Sequence, residues 1–232
     1  MLLFTLAAVI PPLYLVKKIY RLDRIEPEPV TLLAILFCLG AASTIFAGYI
    51  EGFLKVAVLD KAFSIPEGTS IYTAIYFFLI VAWTEEGLKH FIMHHVTWKN
   101  PNFNYRFDAI VYSVTTSLGF AALENVGYVF TFGLGTALVR AVTSIPGHCI
   151  FGIFMGFYYG IAKQHYVHKR TGRSKFYMAL SLIVPILLHG TYNYCASGKS
   201  PLMVIIFWVY IIALQIISLF SIRAMAKRDR PL

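Results

Sequence analysis

The chain has 232 residues, of which 58% are hydrophobic and only 13% charged, with a formal net charge of +9. Soluble domains carry about 25% charged residues, so this composition excludes a water-soluble fold. The basic residues sit in short loops between apolar runs, a placement that fits contact with anionic lipid and argues against nucleic acid. Cys38, Cys149 and Cys195 lie inside or at the end of apolar runs without a CxxC spacing. They read as small apolar side chains, with neither disulfides nor a thiolate metal site.

A membrane-spanning helix needs about 20 apolar residues. Taken in chain order, about seven spans are expected, at 2–20, 30–52, 71–97, 107–131, 135–162, 176–196 and 201–222. The expected fold class is an all-α, polytopic membrane helix bundle, organised as a single transmembrane domain over 1–232 with its motif-bearing part at about 71–196. The first run holds Pro11-Pro12, lacks a basic start and is followed by Lys17-Lys18. It reads as a Pro-kinked first span rather than a cleaved signal.

Charge asymmetry gives the orientation. Lys17, Lys18, Arg21 and Arg24, then Lys99 and Arg106, then the 163–175 loop and the C-terminal tail put most of the basic residues on one side. The opposite loops carry only Lys55, Lys61 and Lys199. The positive-inside rule then places the N-terminus outside and the C-terminus in the cytoplasm. The 52–70 loop is the longest on the outer side. It reads as a connector, with a short interfacial amphipathic helix as the alternative.

The third expected span carries Glu85 and Glu86 inside an apolar run. A carboxylate at the centre of a lipid-embedded helix costs about 2.5–3.5 kcal/mol on insertion scales, and such groups mark functional sites by default. The structural alternative is an ion pair in which Lys89, four residues after Glu85, neutralises it on the same helix face. The fourth span carries Glu124 and Asn125 toward its outer end, where solvation is the bland reading. In the fifth, His148, Gly152 and Gly156 recur on one face, the glycines allowing a neighbouring helix to approach. In the sixth, Pro185 precedes His189 and Asn193, an i, i+4 pair pointing the same way.

Glu85 and Glu86 lie about fourteen residues into their span, and His148 and His189 about thirteen into theirs. At 1.5 Å per residue each is roughly 20 Å from its own starting surface, within a core of about 30 Å. Glu124 and Asn125 fit this common depth only if their span is tilted or broken near Gly119 or Gly127. Carboxylates, imidazoles and an amide converging at one depth suit water activation and oxyanion stabilisation, and Glu and His suffice as ligands for Zn²⁺. The reaction class is hydrolysis of an acyl bond in or near the bilayer. Glu86, His90 and His94 also form a helical row, but His94 and His95 approach the interface and read as interfacial. Arg140 reads as snorkelling or pairing with a carboxylate.

The Glu85-Glu86-x-x-Lys89 motif, the 107–112 run, the Gly119–Asn125 block, His148 with Gly152 and Gly156, and Pro185 with His189-Gly190-x-x-Asn193 resemble the PrsW intramembrane protease family. That family is similar to the superfamily of type II prenyl-protein (CAAX) and bacteriocin-processing proteases. There the middle motif carries His where this chain has Glu124. The resemblance implies a protease of the bacterial plasma membrane that makes the first, outer-side cut in a single-pass anti-sigma factor. That cut begins the release of an extracytoplasmic-function sigma factor in stress response. Carried over, Glu85 and Glu86 supply the water-activating carboxylate, His148 and Glu124 complete the water or metal site, and His189 and Asn193 hold the oxyanion or add a ligand. Glu86, Glu124, His148 and His189 are the candidate ligands of a zinc ion. Two other readings compete: a transporter or proton relay using the same buried groups, and a non-catalytic scaffold in which they are packing glue.

Overall fold

A computed structural model describes residues 1–232. The chain is helical throughout and forms no sheet; a single antiparallel bridge joins Tyr105 to Pro231. The helices are α1 (Leu2–Tyr20), α2 (Val30–Leu54), α3 (Ser70–Ile75), α4 (Trp83–Thr97), α5 (Asp108–Phe132), α6 (Leu134–Val142), α7 (Ser144–Val167), α8 (Thr171–Ser197) and α9 (Pro201–Lys227). Two wider, π-helical stretches intervene. Lys55–Ala62 prolongs α2, and Tyr76–Ala82 joins α3 to α4. The expected outer loop therefore shrinks to the residues between Ala62 and Ser70, because the helix does not stop at Gly52.

Six helical segments are long and apolar enough to cross a membrane: Leu2–Tyr20, Val30–Ala62, Ser70–Thr97, Leu134–Val167, Thr171–Ser197 and Pro201–Lys227. Helix α5 is not among them. Its Ser113, Thr115, Thr116, Ser117, Glu124 and Asn125 dilute its apolar content. It tolerates them because it is the axis of the bundle, buried over most of its length and packed by α1, α2 and α7. The outer faces of α1, α2 and α9 are the reverse: Leu3, Ile45, Phe46, Val209 and Phe220 are exposed. So much exposed apolar surface is stable only against lipid. The molecule is a multi-pass membrane protein.

Glycine sets how closely helices approach α5. A Cβ at Gly40 of α2 would collide with the Thr116 backbone, and one at Gly119 with the Phe37 backbone. On α7, a Cβ at Gly152 would stand 2.9 Å from Val114 Cα, and one at Gly160 2.7 Å from the Arg106 carbonyl oxygen. Small residues at such crossings replace the absent hydrophobic drive with close packing. The expectation that Gly152 and Gly156 admit a neighbouring helix is met, and the neighbour is α5. Gly133 ends α5 at φ 87°, a conformation that L-residues rarely adopt, and so turns the chain back as α6.

The chain returns on itself at the other end. Asp229 Oδ1 accepts from the Phe107 N–H at 2.9 Å, and the Leu232 N–H donates to the Asn104 carbonyl at 2.8 Å. The C-terminal tail thus clamps the loop leading into α5.

Candidate active site

Glu85 and Glu86 occupy the first turn of α4, where the helix emerges from the π-helical stretch. Extra residues in a turn rotate the face a helix presents, and such turns are frequent at functional sites. Gly190 of α8 packs directly on Phe78, pinning this stretch against α8. Both carboxylates then point inward and are buried.

Lys89, fully buried, donates to Glu85 Oε2 at 3.1 Å and to Glu86 Oε1 at 2.8 Å. It also contacts His148 Nδ1 at 3.1 Å, and its ammonium lies 4.0 Å from the centre of the Phe120 ring. The simple pairing with Glu85 is therefore one side of a larger arrangement. One cation serves two acids and an imidazole, the geometry that burial of such charges requires.

The expected span 135–162 lies within the candidate span Leu134–Val167, which is built of α6 and α7 meeting at Thr143, and His148 is near the start of α7. Since Lys89 donates to Nδ1, the Nε2–H donates to Glu124 Oε2 at 3.1 Å. Glu124 is not a solvated interfacial acid, and α5 needs no break to deliver it. Its side chain is 19% exposed and also accepts from Arg140 Nη2 at 2.6 Å. Arg140, brought in by α6, donates to Asn125 Oδ1 at 2.8 Å and lies over the Tyr128 ring. Asn125 Nδ2 in turn donates to the Ala8 carbonyl at 3.1 Å. Of the two roles expected for Arg140, pairing with a carboxylate is the one observed.

His189 donates through Nδ1 to Glu86 Oε1 at 2.9 Å, and its ring stacks on Phe151 with centroids 4.9 Å apart. Its Nε2 has no protein partner. Asn193 lines the same cavity, as its i, i+4 relation to His189 predicts. That cavity, about 280 Å³, is bounded by Glu85, Glu124, His148, His189, Asn193 and Glu51 among others. Glu86 and Lys89 stand behind it. Glu51 was missed by sequence reasoning. Its one signal was a carboxylate near the end of the apolar 30–52 run. Its Oε1 is buried without a hydrogen-bond partner, while the nearest basic residue along the chain, Lys55, pairs with Glu67 at 3.3 Å.

His90 and His94 stay apart from the site. His90 Nε2 bonds Ser181 Oγ at 2.8 Å, and His94 stacks on Trp98 with centroids 5.1 Å apart. The row Glu86, His90, His94 is not a ligand set.

The residues present suit a metal. One ligand atom each from Glu85, Glu86 and His148 lies within 4.8 Å of the others. Glu86 Oε2 is buried with no partner. His189, oriented by a carboxylate at Nδ1, leaves Nε2 free, the arrangement that metal-bound histidines adopt. Lys89 Nζ contacts Glu85, Glu86 and His148 itself, so an ion held by these three competes with the ammonium for them. Such an ion would supply Lewis acidity at a carbonyl oxygen.

A membrane bundle whose helices gather carboxylates, imidazoles and an amide around one polar cavity belongs to the class of membrane-embedded hydrolases. Comparison with known proteins narrows the class. The family described as "PrsW family intramembrane metalloprotease" matches residues 28–219. The chain is 33% identical over 217 residues to Protease PrsW of Oceanobacillus iheyensis, covering 94% of this chain and 93% of that one. It is 32% identical over 209 residues to Protease PrsW of Bacillus subtilis, covering 87% and 89%. No solved structure matches significantly. The chain belongs to the PrsW family and is a membrane-embedded peptidase.

Proposed function

We propose that this peptidase makes the first, outer-side cut in a single-pass anti-sigma factor, starting the release of an extracytoplasmic-function sigma factor under stress. In this reading the whole chain, 1–232, is one protease domain in the bacterial plasma membrane. Its N-terminus is outside and its C-terminus cytoplasmic. The observation that carries the reading is the cavity on which Glu85, Glu124, His148, His189 and Asn193 converge.

Glu85 is the water-activating base. It faces the cavity, whereas Glu86 stands behind it with Oε1 taken up by Lys89 and His189. Glu85 takes a proton from water as its oxygen attacks the scissile carbonyl carbon. The tetrahedral oxyanion forms within reach of Asn193, and the proton on Glu85 passes to the departing amine as the C–N bond breaks. Glu124 holds His148 in one tautomer, and Glu86 does the same for His189. A zinc ion would be held by Glu86 through its unpartnered Oε2 and by His189 through Nε2, with His148 and Glu124 joining only by giving up their mutual hydrogen bond. A transporter reading finds no support in the relatives, all named as proteases.

The test is cleavage of a single-pass anti-sigma factor in proteoliposomes, with the products mapped by mass spectrometry. The reading predicts a cut near the outer end of the substrate helix, absent with Glu85→Gln. A cut on the cytoplasmic side, or none in any anti-sigma substrate while other peptides are cleaved, overturns it.

A further inference from the structure

A second group of acids lies far from the cavity, where the α1–α2 loop meets the start of α5. One oxygen each from Asp23, Glu28 and Asp108 falls within 4.8 Å of the others. The three residues are 5%, 3% and 0% exposed. No ion pair reaches any of them, in contrast to the acids of the cavity floor.

Part of their bonding capacity is used. Asp108 Oδ2 accepts from the Asn104 and Tyr105 N–H groups at 3.0 and 2.7 Å, and Glu28 Oε2 accepts from the Tyr112 hydroxyl at 2.6 Å. The rest is not. Asp23 Oδ2 and Asp108 Oδ1 are buried with no hydrogen-bond partner. So is Asn104 Oδ1, on the residue whose N–H caps Asp108 and whose amide nitrogen is committed to Glu26. Buried carboxylate oxygens without a donor or a counter-charge are expensive and rarely persist.

We propose that Asp23, Glu28 and Asp108 bind a hard divalent cation, Mg²⁺ or Ca²⁺, which ties the α1–α2 loop to the N-terminal end of α5. The donors are all oxygen, the set that hard cations take, and no histidine or cysteine stands among them. Ligands at 2.0–2.6 Å on opposite sides of such an ion are about 4–5 Å apart, which the cluster matches. The ion also explains the adjoining clamp. The tail residues Asp229 and Leu232 fasten the same Asn104–Phe107 loop, so the cation and the tail hold one junction from two sides. The site is separate from the catalytic cavity, and its test does not depend on proteolysis.

The experiment is thermal unfolding of the full-length, detergent-purified, chelator-treated protein, titrated separately with Mg²⁺ and Ca²⁺. Wild type is expected to show a saturable rise in Tm with at least one of the two. Asp23→Asn, whose side chain makes no other hydrogen bond, is expected to weaken the apparent affinity at least tenfold. Glu28→Gln serves the same purpose should Asp23→Asn fail to fold. Terbium luminescence, sensitised by Tyr112 and displaced by the active cation, reads the wild-type site without any variant. A flat titration with both ions, or an identical response in wild type and variant, overturns the proposal.

Discussion

The two acid clusters of this molecule solve burial in opposite ways. Around the cavity Lys89 stands beside Glu85 and Glu86 and Arg140 beside Glu124, and Glu51 is the one lining acid without an ion pair. At the loop junction Asp23, Glu28 and Asp108 have none. The difference teaches where the chain keeps its charges under its own control. Groups that handle water and a peptide bond must hold fixed protonation and orientation, and covalently tethered cations provide that. Groups whose task is to fasten two segments can leave the counter-charge to an ion from solution.

Breaking the cavity side has the largest expected effect. Glu85→Gln should lower the cleavage rate about 10²–10⁴-fold, the usual worth of a general base, with the fold intact by gel filtration and unfolding midpoint. Lys89→Met tests the compensation itself. Leaving buried carboxylates without their ammonium should cost about 3–5 kcal/mol of stability, read from unfolding in detergent, whereas a surface lysine substitution would be nearly silent. Stripping metal with a strong chelator should abolish cleavage, and zinc should restore it; full activity in metal-free protein would remove the ion from the account. Gly156→Ala, which pushes a methyl into the Ile110 backbone, should cost about 1–3 kcal/mol as an overpacked contact. Activity should fall with it, since α7 carries His148.

The smallest effect sharpens the loop side. Burial, then repulsion from Asp229 and Glu26, raises the Asp23 carboxyl from 3.8 to about 6. Burial raises Glu28 from 4.5 to about 7 against the opposing Tyr112 hydrogen bond, with Asp23 adding repulsion. Folded-state values above the unfolded ones mean that the folded protein binds more protons in between. Their contribution to stability is present in acid and lost as pH rises through about 6 to 7. In cation-free buffer, Tm should therefore fall between pH 5 and pH 8 at this junction, and Asp23→Asn should flatten the slope. Equal slopes in wild type and variant would remove Asp23 as its source.

How much of this was readable beforehand follows from where each residue sits. Glu85, Glu86, His148 and His189 stood out because polar groups are costly in apolar runs, and all four meet in the structure. Arg140 was ambiguous because a cation near a span end can snorkel or pair. Only the turn at Gly133 and the break at Thr143 bring it to Glu124. Glu51 was invisible, since an acid near a helix end is ordinary until it is found lining the same cavity as Glu85. The Asp23, Glu28 and Asp108 cluster was beyond reach for the same reason, with loop acids separated by 85 residues of chain from first to last. Of the seven expected spans, six are long and apolar enough to cross a membrane by length and composition, and 107–131 falls outside that set because of the polar residues it carries. That segment is the enclosed axis of the bundle, where apolarity is not demanded.

The most direct test of the central claim is single-turnover cleavage of a single-pass substrate by reconstituted wild-type and Glu85→Gln protein, matched for folding. The account predicts processing by wild type and a loss of at least a hundredfold in the variant. Processing by Glu85→Gln at the wild-type rate would contradict it.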